Sequence, residues 1–212
     1  CLEKYAMAGG KPMIKNIVFD IGNVLTYYTW ESHIHSFGFS EAVRERVIRA
    51  TVKSEAWNEF DRGVLNDEEV IGLLVQNDPG VEKEIRRMME NVGGLVSKAD
   101  YAIPWIQELK GKGYHVYYLS NFSFKAEKEC SHALDFMPYM DGGILSCKEK
   151  LIKPQPEIYA RLLEIYDLIA DECVFLDDLD VNVRAAKAAG LHGILFTTRE
   201  AALRELAELG VK

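Results

Sequence analysis

Polar side chains that could do chemistry follow three short apolar runs of the sequence. They are Asp20, the pair Ser120-Asn121 and the pair Asp177-Asp178. Apolar runs bounded by turn residues predict buried strands of a parallel sheet, and the carboxyl ends of such strands form one edge, where ligands bind. A single residue such as Asp20 could simply cap a turn. Three strand ends with polar side chains predict instead that all of them meet as a site.

Lys153 adds a cation to this set, just before a helix predicted to begin at Pro156. Three neighbouring carboxylates would not all stay ionised without a cation. Ligation by oxygen alone, without His or thiolate, indicates Mg²⁺ rather than Zn²⁺. A bound Mg²⁺ with open positions would take up a phosphate oxygen, while Ser120, Asn121 and Lys153 could bind the others. Asp20 could then attack phosphorus as a covalent nucleophile.

The elements that must position these residues indicate an α/β fold. From about residue 100 onwards, strands alternate with helices of roughly ten residues, which predicts a Rossmann-like parallel sheet covered by helices on both faces. The first strand is predicted at 17–19. The later strands are predicted at 114–119, 142–146, 173–176 and 194–196, and the helices at 101–110, 124–132, 156–166, 181–189 and 199–209.

The segment between the first strand and residue 97 is predicted to be a compact helical cap with no strand of its own. Its helices are expected at 41–57 with Ser40 as N-cap, from Asn66 onwards, and at 81–89. The predicted domains are therefore a core of residues 13–26 and 97–212 and a cap of residues 27–96. Residues 1–12 are predicted to be a leader or a cloning remnant.

Composition limits the classes of partner. The chain has 212 residues, enough for one ample core or a core with a small second domain. Its formal net charge of −8 argues against a nucleic-acid partner, although a small anionic substrate needs only local positive charge. The sequence has no apolar run of transmembrane length, and its four cysteines lack metal-ligand spacing. We expect a cytoplasmic monomer or homodimer that does not bind membranes.

Four short motifs follow one another along nearly the whole chain from Met13. They are Phe19-Asp20-Ile21-Gly22-Asn23-Val24, Leu119-Ser120-Asn121, Lys153-Pro154 and Phe175-Leu176-Asp177-Asp178. In this order they resemble the motifs of the haloacid dehalogenase-like (HAD) superfamily of phosphohydrolases. The resemblance implies that Asp20 is the nucleophile and forms an aspartyl-phosphate, and that Ser120 and Lys153 bind the phosphoryl group.

The same resemblance implies the metal ligands. Mg²⁺ would be bound by Asp20, the backbone carbonyl of Gly22 and Asp178, with Asp177 close by or bonded through water. The cofactor implied is thus Mg²⁺, and the substrate implied is a small phosphorylated metabolite.

Gly22 departs from the family pattern, because most of its phosphatases have a second Asp at this position as general acid and base. Loss of a general acid lowers a rate by about 10²–10⁴-fold. Water or a cap residue could substitute, the substrate could have a good leaving group, or the enzyme could be weak. Relatives with the Asp-x-Gly-Asn-Val version resemble sugar-phosphate phosphatases, so a sugar phosphate is one hypothesis for the substrate.

Two other functions stay open at this point. A haloacid dehalogenase shares the fold and the Asp nucleophile but uses no metal, and the pair Asp177-Asp178 argues against it. A catalytically silent HAD-like binding protein is the other, because Gly22 lacks the acid.

Four further side chains have two readings each. Tyr27 and Tyr28 could line the substrate pocket beneath the cap or pack the cap against the core. Arg62 could reach the substrate, or lie in a solvated turn or an internal ion pair. Asn182 could orient the loop of the fourth motif or begin a helix.

Overall fold

The computed structural model describes residues 13–212, so the prediction of a leader or remnant at 1–12 lies outside the described residues. Within residues 13–212, none of the helices is long and apolar enough to cross a membrane. The strands are β1 (Asn16–Phe19), β2 (Thr26–Tyr28), β3 (Val96–Lys98), β4 (His115–Ser120), β5 (Gly142–Leu145), β6 (Cys173–Asp177) and β7 (His192–Leu195). The helices are α1 (Trp30–Ser36), α2 (Glu41–Ala50), α3 (Trp57–Arg62), α4 (Asp67–Asn77), α5 (Glu82–Glu90), α6 (Ala102–Gly111), α7 (Phe124–Glu129), α8 (Ser146–Glu149), α9 (Pro156–Ile165), α10 (Asp180–Ala188) and α11 (Arg199–Glu208).

Five strands form the predicted parallel sheet, in the order β5-β4-β1-β6-β7. The central strand β1 is buried along its whole length, as expected for a strand covered on both faces. In the register of the sheet, Phe19 is level with Tyr118 of β4 and with Leu176 of β6. The residues that follow these positions therefore leave the sheet at one edge.

Helices cover both faces of the sheet, which confirms the predicted fold class. On one face, Phe19 packs edge-on against Trp105 of α6, with ring centroids 4.7 Å apart, in a core that also includes Leu206 of α11. On the other face, Val18 lies in a second buried cluster with Tyr159 of α9 and with α10. The C-terminal end of β1 is therefore packed against helices on both faces of the sheet.

Helices α1–α5 form a helical insert (residues 30–90) between β2 and β3. These two short strands pair antiparallel, with Tyr27 opposite Ser97 and Tyr28 opposite Val96. The prediction that this region has no strand was therefore wrong. Each strand has only three residues, too few for alternation of apolar and polar positions to be visible in the sequence. The proposed cap boundaries at 27 and 96 fall within this pair of strands.

The long helix predicted from Ser40 to Trp57 is interrupted. Helix α2 ends at Ala50, whose carbonyl accepts from Asn77 Nδ2 at 3.0 Å and so has a partner without a further helical turn. Ser40 stands at the N-cap position of α2 without a capping hydrogen bond from its side chain. The predicted start of α4 is confirmed.

Asn66 caps α4 through a reciprocal pair of bonds. Its side chain accepts from the Glu69 N–H at 3.0 Å, and the Glu69 carboxylate accepts from the Asn66 N–H at 2.8 Å. Gly63 ends the preceding helix α3 in the left-handed region, at φ +67°. The short turn between Gly63 and Asn66 is therefore bounded by the end of α3 and by the cap of α4.

Candidate active site

The sheet edge gathers the side chains that the sequence predicted to meet. Asp20 follows β1, Ser120 ends β4 and Asp177 ends β6, and all three are buried. Lys153 comes from the loop before α9 and is only 3 % exposed. A cavity of about 340 Å³ opens in front of Asp20, Ser120 and Lys153. The polar ends of three strands and one loop cation therefore form a single site.

Lys153 lies between two carboxylates. Its Nζ atom is 2.7 Å from Asp20 Oδ1 and 2.6 Å from Asp177 Oδ2. Burial by itself would lower the pKa of Lys153, but the two carboxylates together raise it, so the ammonium stays charged. Burial also raises the pKa of Asp20, which the Lys153 charge opposes. The Lys153 ammonium therefore offsets part of the charge of the Asp20 carboxylate beside the cavity.

Both carboxylate oxygens of Asp177 accept hydrogen bonds from other groups of the protein. Its Oδ1 accepts from the Leu179 N–H at 2.8 Å, and the amide of Asn182 donates to Oδ1 at 3.0 Å and to Oδ2 at 3.1 Å. With the bond from Lys153, both oxygens have partners. Asn182 thus orients the loop of the fourth motif, one of the two readings open from sequence. Asp177 serves chiefly to hold Lys153.

Three carboxylates at this edge could share a cation. Asp20, Asp177 and Asp178 each offer an oxygen, and these oxygens all lie within 4.8 Å of one another. Asp178 is held by Asn23, whose Nδ2 donates to its Oδ2 at 2.9 Å. Burial raises the pKa of Asp178, and Asp177 adds to this effect. The Oδ1 atom of Asp20 is buried without a well-directed hydrogen bond, although the Lys153 ammonium is near.

Asn121 contacts the backbone of Lys153 rather than open space. Its Oδ1 accepts from the Lys153 N–H at 2.8 Å, and its Nδ2 donates to the Lys153 carbonyl at 3.0 Å. This pairing gives Asn121 a positioning role. Its predicted contact with a phosphoryl group stays a prediction.

The three side chains for which contact with the substrate was one of two readings take different positions in the structure. Tyr28 lines the cavity, whereas Tyr27 is 51 % exposed and does not. Arg62 pairs with Glu59 at 3.1 Å and donates to Gln155 Oε1 at 3.0 Å. It is absent from the cavity wall, so the reading of Arg62 as an internal ion pair describes its position.

Asp61 is a cavity residue that the sequence analysis missed. It lies in the last turn of α3 and faces the cavity from the side of the helical insert. Burial raises the pKa of Asp61 to about 7, Lys153 acts against this rise and Asp20 adds to it. One signal was visible in the sequence. Gly22 lacks the acid that the resemblance implies at its position, and a cap residue was one of the predicted substitutes.

Apolar side chains form much of the rest of the wall. They come from the helical insert, from the segment that leads into β3, and from the loops after β4 and β6. The main ones are Val52, Trp57, Phe60, Leu95, Phe122 and Leu179. The cavity is therefore lined both by charged side chains from the sheet edge and by these apolar side chains.

Two proteins named as phosphatases are similar to this chain over most of their length. A sesquiterpene phosphatase of Aspergillus oryzae is 29% identical over 198 residues, which cover 92% of this chain and 96% of that protein. A D-ribitol-5-phosphate phosphatase of Bacteroides thetaiotaomicron is 27% identical over 191 residues, which cover 84% and 89%.

Solved structures share the fold. A HAD-family enzyme of Bacteroides thetaiotaomicron in complex with magnesium and inorganic phosphate superposes with a TM-score of 0.66 and 21% identity, over 88% of this chain and 96% of that one. An L-2-haloacid dehalogenase of Xanthobacter autotrophicus reaches a TM-score of 0.65 with 18% identity, over 94% and 85%. The overall fold is thus common to phosphate-binding and dehalogenating enzymes.

The family itself is decided by the sequence match. The family model of haloacid dehalogenase-like hydrolases matches residues 14–190, which include all four motifs and the helical insert. The match begins just before β1 and ends just after α10, so it contains every residue of the site described above. The chain belongs to the haloacid dehalogenase-like hydrolase family.

Proposed function

We propose that this protein is a Mg²⁺-dependent phosphomonoester hydrolase that uses Asp20 as a covalent nucleophile. The observation that carries the proposal is the position of Asp20 at the tip of the central strand, 2.7 Å from the Lys153 ammonium and beside the acidic pair Asp177-Asp178. A carboxylate facing a cavity with a cation at its side can attack an anionic centre. The two phosphatases among the relatives support the reaction class.

The residues present fit Mg²⁺. Asp20 and Asp178 would bind the ion through carboxylate oxygens, and Gly22 through its backbone carbonyl. Asp177, whose two oxygens already accept hydrogen bonds, would contribute through water. The three carboxylates whose oxygens lie within 4.8 Å of one another, and the donor set of oxygen atoms alone, are the observations that support this assignment. When bound, the ion would screen the repulsion between carboxylate and phosphate and polarise the phosphoryl group. A family member of known structure contains magnesium and phosphate together.

The side chains of this protein would then carry two steps. Lys153 and Ser120 bind phosphoryl oxygens and orient phosphorus towards Asp20. A carboxylate oxygen of Asp20 bonds to phosphorus, the ester P–O bond breaks, and the alcohol leaves with a proton. Water next attacks the phosphorus of the aspartyl-phosphate, the bond from phosphorus to Asp20 breaks, and inorganic phosphate is released.

The helical insert is proposed to act as the cap that selects the alcohol. Three of the five insert residues that line the cavity are apolar, namely Val52, Trp57 and Phe60. Burial of apolar surface there would favour a phosphate ester whose alcohol is apolar. The sesquiterpene phosphatase relative supports this choice. A sugar phosphate is the second candidate, which the ribitol-phosphate phosphatase relative supports.

The test is a phosphate-release assay on protein treated with EDTA, with and without added Mg²⁺. The panel holds prenyl and alkyl phosphates, sugar phosphates including glycosyl 1-phosphates, and an acyl phosphate. We expect release that depends on Mg²⁺, is fastest with the apolar esters, and is abolished in Asp20→Asn. The control is Asp67→Asn, the same chemical change at an exposed position of the helical insert.

Other outcomes identify the rival functions. Halide release from 2-haloacids without Mg²⁺ would make the protein a dehalogenase. Inactivity on every ester, together with no trapping of Asp20 by beryllofluoride and Mg²⁺, would make it a silent binding protein. An Asp20→Asn variant with the wild-type rate would refute the assigned nucleophile.

A further inference from the structure

We propose that Asp61 of the helical insert is the proton donor to the departing alcohol, in place of the acid that Gly22 lacks. This inference rests on the proposed phosphatase function and adds a catalytic residue to it. Asp61 and Gly22 border the same cavity as Asp20. A Cβ atom built on Gly22 would meet nothing within 4 Å, so the space of the missing side chain is open. Substrate and Asp61 can therefore meet where an acid at position 22 would act.

Three contacts fix Asp61 over the site. Ser146 Oγ donates to the Asp61 carbonyl at 2.6 Å, and the Lys150 ammonium donates to the Gly63 carbonyl. Gly63 packs so closely on Cys147 that an added Cβ atom would lie 2.8 Å from the Cys147 Cβ atom. The end of α3 is thereby tied to the core around α8. A proton donor must be held in place relative to the reacting atoms, and these contacts provide that.

The carboxyl group of Asp61 has no competing partner. Among residues 13–212, no hydrogen bond or ion pair to its side-chain oxygens is present, whereas Asp20 pairs with Lys153 and Asp178 with Asn23. The charged groups that act on Asp61 are Lys153 and Asp20. Its raised pKa of about 7 keeps a proton available near neutral pH, where a general acid works best.

The proton balance of both steps closes with Asp61. In the first step, protonated Asp61 gives its proton to the bridging ester oxygen while Asp20 bonds to phosphorus and the P–O bond breaks. The product alcohol leaves neutral, and Asp61 is left as a carboxylate. In the second step, Asp61 takes a proton from the water that attacks phosphorus. Inorganic phosphate and ionised Asp20 form, and Asp61 is protonated again.

The experiment compares leaving groups in wild type and Asp61→Asn. An alkyl phosphate needs a proton on its leaving oxygen, whereas an acyl phosphate, which leaves as a carboxylate, does not. We expect Asp61→Asn to lose about 10²-fold or more in kcat/KM on the alkyl ester, because kcat/KM reports the steps up to departure of the alcohol, and to change little in kcat/KM on the acyl phosphate. Hydrolysis of the aspartyl-phosphate, which is common to both substrates, affects kcat alone. The control is again Asp67→Asn, which should match wild type on both substrates.

A second variant separates chemistry from structure. Adding Gly22→Asp to Asp61→Asn puts a carboxylic acid into the open space at position 22. The double variant should regain at least a tenth of the wild-type kcat/KM on the alkyl phosphate. Equal losses on both substrates, with no rescue, would make Asp61 a structural residue and overturn the proposal, as would a wild-type alkyl rate in Asp61→Asn. Failure of wild type on every ester would instead overturn the phosphatase function itself.

Discussion

Asn121 holds the backbone of Lys153 on two sides, accepting from its N–H at 2.8 Å and donating to its carbonyl at 3.0 Å. One residue at the end of β4 thus fixes the loop that carries the ammonium between Asp20 and Asp177. Because that ammonium is 2.7 Å and 2.6 Å from the two carboxylates, small shifts of the loop would break both ion pairs. The second and third motifs therefore work as one unit.

The two hydrogen bonds between Asn121 and the backbone of Lys153 can be tested by mutation. Asn121→Ala removes both bonds and leaves a backbone N–H and a carbonyl of Lys153 unpaired, at a cost of about 1–3 kcal/mol for each buried group. We expect a lower Tm and a lower kcat. Thermal unfolding and phosphate release measure the two effects. Gln76→Ala, at an exposed amide of the helical insert, should change neither. An Asn121→Ala variant as active and as stable as wild type would show that these two hydrogen bonds are dispensable.

Lys153→Met is expected to leave two buried carboxylates without their cation. Removing one partner of a buried ion pair destabilises proteins by about 3–5 kcal/mol. We therefore expect a large fall in Tm in EDTA, part of which Mg²⁺ should reverse by neutralising Asp20. The Tm rise on adding Mg²⁺ should accordingly exceed that of wild type. Lys83→Met, at an exposed position, is the control; an equal response to Mg²⁺ in Lys153→Met would contradict the prediction.

Asp61 should make stability depend on pH. Its pKa is raised from 3.8 to about 7 on folding, so between these values the folded protein keeps a proton that the unfolded chain loses. The contribution of Asp61 to stability therefore falls as the pH rises from about 4 to about 7, and is lowest above that range. Asp61→Asn should raise Tm over wild type at pH 8 in EDTA, and the difference should vanish near pH 4.

If the ionised form of Asp61 stabilised the folded protein, the change in Tm at pH 8 would have the opposite sign. If cationic groups stabilised the ionised carboxylate of Asp61, Asp61→Asn would lower Tm at pH 8. The measurement does not use catalysis, so it tests the environment of Asp61 separately from its proposed proton transfer. The facing charges are Lys153 and Asp20, so the same pH series on Asp20→Asn shows how much of the shift comes from that neighbour.

The sheet and its active edge could be predicted from the sequence because they depend on local patterns. Each strand is a contiguous apolar run, and polar residues directly follow three of them. Parallel pairing then brings Asp20, Ser120 and Asp177 to one edge whatever the details of packing. The helix starts at Asn66 and Pro156 were likewise visible as local capping patterns.

What could not be predicted depends on contacts between distant residues. Asp61 reaches the site because Ser146, 85 positions away, bonds to its carbonyl. The break after α2 depends on a bond from Asn77 to Ala50, 27 positions away. The pair β2 and β3 joins residues about 70 apart in segments too short to show a period. No local pattern in one sequence encodes such pairings.

The last prediction concerns the metal ion. A ligand that binds only the folded state raises stability by about 2.7 kcal/mol at one hundred times its Kd. We expect Mg²⁺ to raise the Tm of the EDTA-treated wild type in a concentration-dependent way. Asp178→Asn should abolish most of this rise, because the variant keeps the shape of the side chain and loses its charge. Asp180→Asn, two positions further on and exposed, should respond like wild type.

Asn23→Ala refines the same test. Asn23 donates to Asp178 at 2.9 Å and accepts from the Tyr28 N–H at 3.0 Å, so it links the acidic pair to β2 at the base of the helical insert. Without it, Asp178 should be less well oriented, and the Mg²⁺ affinity read from the Tm titration should fall by about 10–100-fold. If Asp178→Asn and Asn23→Ala both respond to Mg²⁺ like wild type, the ion does not bind at this edge of the sheet.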